Sequence, residues 1–426
     1  MVSQLILTCK KYLKLFVRKA APFTHFIPAS LRHRAAQAML QAAKPWKYHQ
    51  PASYEPGRFP NGVNLFGFFK AENGLAQGTK LYAASIEAAG IPHTFLNTDF
   101  LDWLPQLDTT FDSRLSKEAK YAVNIVHINP DQWEEACLCY PEESFDHHYN
   151  IGVWLWELET IPHSWKSCLA NVDELWAPSE FIASALRKET DKPVTVIPYG
   201  IAVPANETLS RADFGLPEDR FLVLTMYDSN SYSSRKNPGA SMKAFREAFS
   251  GLPGKGLLVI KVGNPKDEDL AFIRESMQGV DYMLITERME KSRLNSLISL
   301  CDVFISLHRS EGFGLVMAEA MALHTAVIAT NWSSNTEFMD RESCCMVDYS
   351  LIPVNDNYQF GQQEHRWADA DVHQAAAYLQ KLYADPGFLQ EKTEKAYQKI
   401  SAEFSVTATS LKMKARLSEI FSHSKE

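Results

Sequence analysis

Between about residue 61 and residue 200, short apolar runs alternate with stretches of helical period. Val63–Phe69, Thr94–Leu96, Ala122–Ile128, Tyr149–Trp154, Glu174–Ala177 and Val194–Ile197 read as strands, with helical stretches such as Gly78–Ala89 and Glu180–Glu189 between them. The rhythm then starts again. Phe221–Met226, Leu257–Val262, Tyr282–Ile285, Val303–Ser306 and Ala326–Ala329 read as strands, and Pro238–Phe249, Ser292–Ser299, Leu315–Ala322 and Val372–Tyr383 as helices. Strands that alternate with helices predict parallel sheets in α/β domains, because a parallel connection needs a crossover helix. Two such series predict two domains. The turn-rich stretch 198–204, Pro-Tyr-Gly-Ile-Ala-Val-Pro, divides them, giving a first domain over 55–204 and a second over 205–400. Residues 401–426 follow as a C-terminal helical segment centred on Thr407–Phe421.

The first 54 residues differ from the rest. Leu5, Ile6, Cys9, Tyr12, Leu13, Phe16 and Val17 recur at helical spacing, while Lys10, Lys11, Lys14 and Arg18 fall on the other face. A basic amphipathic helix over 1–20 can lie on an anionic membrane surface or pack on the protein itself; the pattern fits both. A proline- and aromatic-bearing lead-in follows to residue 60. The segment 1–54 holds nine Lys or Arg and no Asp or Glu, so with a net charge of −8 for the whole chain the body carries −17. A basic arm on an acidic body predicts an anionic partner for the arm and no nucleic-acid binding by the body.

The 426 residues, 46% apolar and 22% charged, suit a globular protein with sizeable cores. Seven cysteines without a C-x-x-C pair form no disulfide framework, which favours a reducing compartment. No apolar run has the ~18 residues of a membrane span. The short apolar start runs into Lys10-Lys11 with no small-residue cleavage site, unlike a signal peptide. The expectation is a cytoplasmic protein, peripheral at the inner face of a membrane if the arm binds lipid.

The candidate chemistry centres on residues 306–321, SLHRSEGFGLVMAEAM. The strand Val303–Ser306 leads into a glycine-bearing loop and then a helix. Gly312 and Gly314 allow close backbone approach to a ligand, and the helix start that follows favours phosphate oxygens. Glu311 lies in the loop and Glu319 about one turn into the helix, so both carboxylates can face the hydroxyls of one ligand. Arg235-Lys236-Asn237-Pro238 opens another helix, where two cations are costly unless an anion joins them.

These residues resemble the E-x7-E motif of retaining glycosyltransferases with the GT-B fold, and residues 311–321 are similar to the EGFGL-x-x-x-EAM signature of glycosyltransferase family 4 (group 1). The resemblance covers about residues 61–400. It implies two Rossmann-like α/β domains facing each other across a cleft, the first taking the acceptor and the second the nucleotide sugar, with a C-terminal helix that can return to the first domain. It implies metal-independent, retaining transfer, with no cofactor beyond the nucleotide-sugar donor as substrate. Glu319 would hold the ribose; Glu311 with Gly312, Phe313, Gly314 and Leu315 would hold the donor sugar and phosphate. Arg235 and Lys236 would meet the leaving diphosphate, as cations aimed at developing charge. The stretch 228–234 is longer than the family's short turn, which leaves open which cation does more.

Other stretches extend the resemblance. Gly67–Gly78, including Gly74 and Gly78, is similar to the family's glycine-rich loop facing the donor. His127 and Asn129 end the strand Ala122–Ile128, where the family carries His-x-His; here the second position is Asn129. The runs 154–159, WLWELE, and 173–179, DELWAPS, suit sugar stacking or plain core equally. Asp369-Ala370-Asp371 spells a metal-site pattern but reads as a helix cap, and His147-His148 lacks zinc spacing, so no metal site is expected. The implied activity is transfer to a saccharide or lipid-linked acceptor in surface polysaccharide or glycolipid assembly. The alternative is a catalytically silent homologue of the same fold acting as a scaffold or partner subunit.

Overall fold

The computed structural model describes residues 50–99, 106–137, 139–354 and 365–422. The helix expected over 1–20 lies outside these residues. Two six-stranded parallel sheets form the body. The first contains β1 (Val63–Gly67), β2 (His93–Asn97), β3 (Val123–Val126), β4 (Tyr149–Val153), β5 (Glu174–Ala177) and β6 (Val194–Val196), in the order β2-β1-β3-β4-β5-β6. The second contains β7 (Phe221–Asp228), β8 (Gly256–Gly263), β9 (Tyr282–Ile285), β10 (Val303–Ser306), β11 (Ala326–Thr330) and β12 (Cys345–Val347), in the order β12-β11-β10-β7-β8-β9. An antiparallel hairpin of β13 (Tyr349–Pro353) and β14 (Arg366–Ala370) is appended.

The strands are buried on both faces, as βαβ crossovers require: β1, β3, β5 and β11 are buried at every position. Each sheet reverses its winding once, between β1 and β3 in the first and between β7 and β10 in the second. Ligands of such sheets bind beyond the carboxyl ends of the strands at that reversal. The segments that follow β7 and β10 are those carrying Arg235-Lys236 and Glu311.

The two domains share packed material. Tyr199, in the connection after β6, meets the Phe313 ring at a centroid distance of 5.1 Å, and Phe313 also packs on Phe338 and Phe404. The last helix, Val406–Ser422, packs on the first-domain helix Gly74–Ala88. Its Arg416 grips the fully buried Glu174 of β5 with two hydrogen bonds of 2.9 and 2.7 Å. Ile201 donates its N–H to the Phe404 carbonyl at 2.7 Å, so the interdomain connection and the returning chain run side by side.

Candidate active site

The loop after β7 folds as two tight turns, a 3-10 turn at Ser229–Ser231 and a single helical turn at Ser233–Lys236. Tyr232 and Asn237 take positive φ, 59° and 50°, to fit the turns together. The extra length seen in the sequence thus makes a compact platform for the two cations. Asn237 donates to the Leu307 carbonyl at 3.0 Å, and the Arg309 N–H donates to the Arg235 carbonyl at 2.8 Å. These bonds tie the platform to the loop after β10.

Arg235 is 5% exposed. Its guanidinium donates to the Ser310 carbonyl at 2.8 Å and lies 3.4 Å from Glu311 and 3.5 Å from Glu157. Lys236 Nζ donates to Glu311 Oε1 at 2.5 Å. Burial would raise the Glu311 carboxyl's pKa, but Lys236 and Arg235 outweigh it and hold the pKa at about 2. Glu311 is therefore a carboxylate at neutral pH and can only accept hydrogen bonds. Its own N–H donates to Ser333 Oγ at 2.9 Å, and Ser333 is held at φ 73°.

Gly314 begins the helix Leu315–Ala322 at φ 95°, a conformation a side chain would strain. A Cβ there would come 2.5 Å from Met317 Cε. Glycine thus permits the turn that opens the helix, whose first N–H groups have no partner within the helix and favour anionic oxygen. Glu319, 2% exposed, faces Lys291, whose Nζ is 2.6 Å from Glu319 Oε1. Glu319 Oε2 is buried without a hydrogen-bond partner. Such an acceptor costs about 1–3 kcal/mol unless a ligand satisfies it.

The first domain closes over this arrangement. Ser310 Oγ donates to the Glu157 carbonyl, Ser179 Oγ and Ser334 Oγ lie 2.9 Å apart, and the Phe181 N–H donates to Glu337 Oε1 at 3.0 Å. Glu72, in the glycine-bearing loop after β1, forms an ion pair with Arg288 of the second domain. Gly74 beside it has open space where a side chain would project.

The other sequence candidates are held by packing or by hydrogen bonds within the protein. Gly78 is buried against the Tyr199 hydroxyl, 2.6 Å from where a Cβ would stand, so its smallness serves packing. Phe313 is 3% exposed within the aromatic cluster described above, and Leu315 is half-buried beside it. Gly312 sits against the Trp156 carbonyl. His127 is fully buried, with Nδ1 3.2 Å from Thr79 Oγ1 and Nε2 2.7 Å from the Tyr199 hydroxyl. Burial pushes its pKa down to about 4. Asn129 spends its amide on the Leu155 backbone, donating at 3.1 Å and accepting at 2.8 Å. Trp154, Trp165 and Trp176 are fully buried core. Asp371 caps the helix Val372–Ala384, accepting from the His373 and Gln374 N–H groups.

Sequence reasoning did not single out Lys291 or Arg288. Lys291 opens the helix Lys291–Ser299 and carries no local motif; only the return of that helix onto the one bearing Glu319 reveals it. Among the described residues no helix is long and apolar enough to cross a membrane.

Residues 207–346, the stretch bearing both cations and both acidic residues, match the family model described as "Glycosyl transferases group 1". That stretch, about a third of the chain, is similar to the group 1 glycosyl transferases. A curated relative of this chain is D-inositol 3-phosphate glycosyltransferase of Acidothermus cellulolyticus, 26% identical over 190 residues. That match spans 42% of this chain and 42% of the relative, under half the length of each. Solved structures similar to the chain include sucrose-phosphate synthase from Thermosynechococcus elongatus (TM-score 0.61, 16% identity, covering 85% of this chain and 100% of that one). A glycosyltransferase from Rickettsia africae matches with TM-score 0.60 at 14% identity, over 85% of this chain and 98% of that one. Anabaena HepE, in complex with UDP and glucose, matches with TM-score 0.58 at 12% identity, over 84% and 99%. The fold is GT-B: two Rossmann-like parallel sheets facing one another.

Proposed function

We propose that this group 1 transferase moves a glycosyl unit from a nucleotide-diphosphate sugar to a saccharide or lipid-linked acceptor, with retention at the anomeric carbon. The observation that carries this reading is the convergence of Arg235, Lys236 and Glu311 at the carboxyl end of β10, with the unpartnered Glu319 oxygen on the helix that follows. The diphosphate would lie against Arg235, Lys236 and the N–H groups that open the helix Leu315–Ala322. Charge builds on the leaving diphosphate as the glycosidic bond breaks, and fixed cations lower that cost most where water is excluded. Glu311, held ionised, accepts from donor-sugar hydroxyls and serves no acid role. Glu319 Oε2 accepts from the ribose. Glu72 and Arg288, with Gly74 between the domains, frame the mouth through which the acceptor enters.

The implied setting is surface polysaccharide or glycolipid assembly at the cytoplasmic face of a membrane. The basic segment 1–54 would then hold the enzyme near anionic lipid. A hydrolysis screen across UDP-, GDP- and dTDP-sugars tests the central claim. UDP-glucose is the first donor to try, because HepE of the same fold is also seen in complex with it. Release of the nucleoside diphosphate from one of these donors, lost in Lys236→Ala and Glu319→Ala, supports the reading. Normal turnover by both variants would place the site elsewhere, and inertness toward every donor would favour the scaffold.

A further inference from the structure

A second concavity, of about 520 Å³, opens where the two domains meet on the far side of the loop 331–337. A volume in this range accommodates small organic ligands. Its walls come from both domains, from Glu159 and the helix Glu180–Arg187 of the first and from Trp332, Glu337 and Tyr349 of the second. Three rings line it in succession: Phe181 meets Trp332 edge-on at 6.0 Å, and Trp332 meets Tyr349 at 5.2 Å. Tyr349 is 36% exposed, and Leu351 of the same strand is 38% exposed. The charged lining is mainly acidic. Glu159, Glu180 and Glu337 face it, against Lys188 alone.

We propose that this concavity is a carbohydrate-binding subsite, separate from the donor crevice, that takes a neutral oligosaccharide. The chemistry matches on two counts. The axial C–H faces of a pyranose ring pack flat against aromatic rings, whose faces carry partial negative charge. The equatorial hydroxyls are donors, and carboxylates are acceptors only, so a rim of carboxylates suits a polyol. The acidic excess disfavours nucleotides, phosphates and uronic acids, which the donor crevice with its two cations is built to receive. The two sites are joined through one residue. Ser333 lines the concavity and accepts the Glu311 N–H at 2.9 Å, so a sugar seated on Trp332 bears on the loop that holds Glu311. Because both domains contribute walls, occupancy favours the closed arrangement in which Phe181 reaches Glu337.

The test is binding of maltotriose, cellotriose and triacetylchitotriose to the whole protein without any nucleotide, followed by saturation-transfer NMR and calorimetry. At least one trisaccharide is expected to bind. Tyr349→Ala, at an exposed position, is expected to fold normally and to weaken that binding at least about tenfold, the effect of losing one ring contact. Trp332→Leu is expected to do the same. Failure of all three sugars to bind overturns the proposal. So does binding that survives both substitutions, and so does binding of an oligolysine peptide in place of every sugar, which would assign the acidic rim to a cationic partner.

Discussion

Lys291 holds one carboxylate oxygen of Glu319 at 2.6 Å, while the other oxygen is buried with no partner at all. A buried carboxylate with one committed and one vacant oxygen is prepared for a single further donor. Glu319→Gln keeps the shape and removes the charge. Hydrogen bonds to charged groups contribute about 1.5–3 kcal/mol, so nucleoside diphosphate affinity should fall roughly ten- to hundredfold. Lys291→Met should weaken nucleotide binding and also lower the melting temperature, because it strands the carboxylate. Calorimetric titration with UDP, GDP and dTDP against each variant measures both effects. Unchanged affinity in Glu319→Gln would remove Glu319 from the nucleotide site.

Glu311 is clamped between Lys236 and Arg235, which hold its carboxyl at about 2 against the opposing effect of burial. Its folded pKa lies below the unfolded value of about 4.3. The clamp therefore stabilises the fold fully above pH ~4.3 and loses that contribution as pH falls toward 2, when the native carboxylate takes up its proton. Glu311→Gln should flatten the acid limb of a stability-versus-pH curve in this window. It also takes one carboxylate partner from the buried Arg235, so stability at neutral pH should drop by about 3 kcal/mol, measured by urea unfolding. Transfer should fall by about a hundredfold, because a fixed polar partner of the donor sugar is lost.

The architecture was legible because its strands are short, continuous and apolar, because the helix Pro238–Phe249 carries clean periodicity, and because Leu315–Ala322, apolar nearly all round, follows a glycine-bearing loop. The hairpin of β13 and β14 was not, since β13 is mostly exposed and ends on Pro353, giving no apolar alternation to read. Helix Asp267–Ser276 was also missed; among its residues only Ile273 is buried, so it has no apolar stripe. Glu311, Glu319, Arg235 and Lys236 stood out through local motifs. Lys291 reaches the site only through tertiary packing, which leaves no mark in the local sequence. His127 shows the reverse failure: a polar residue at a strand end suggested a site, yet Thr79 and Tyr199 enclose it.

That enclosure of His127 has a measurable consequence. Burial holds its pKa at about 4, below the unfolded value of about 6.5. The unfolded chain binds the extra proton first, so this residue makes stability rise with pH between about 4 and 6.5 and contributes fully only above 6.5. His127→Gln should reduce that slope. It should cost about 1–2 kcal/mol through disturbed hydrogen bonds to Thr79 and Tyr199, with donor turnover within about twofold of the parent. A hundredfold loss of turnover in a well-folded His127→Gln protein would instead make His127 part of the chemistry.

The returning helix supplies the last test. Glu174 is fully buried and receives Arg416 through two charged hydrogen bonds, with Tyr149, Trp176 and Thr195 donating as well. Arg416→Ala removes the counter-ion and leaves the carboxylate with neutral donors. Breaking a buried pair in this way costs about 3–5 kcal/mol, and the remaining donors should hold the loss near the lower end. Glu174→Gln added to Arg416→Ala should recover part of it, since the stranded charge is gone. Because the segment 404–406 runs beside Ile201 at the interdomain connection, the single variant should also expose 406–422 to limited proteolysis before the second sheet unfolds. Simultaneous cleavage across both sheets would mean that Arg416 contributes to global stability without latching the tail to the first domain.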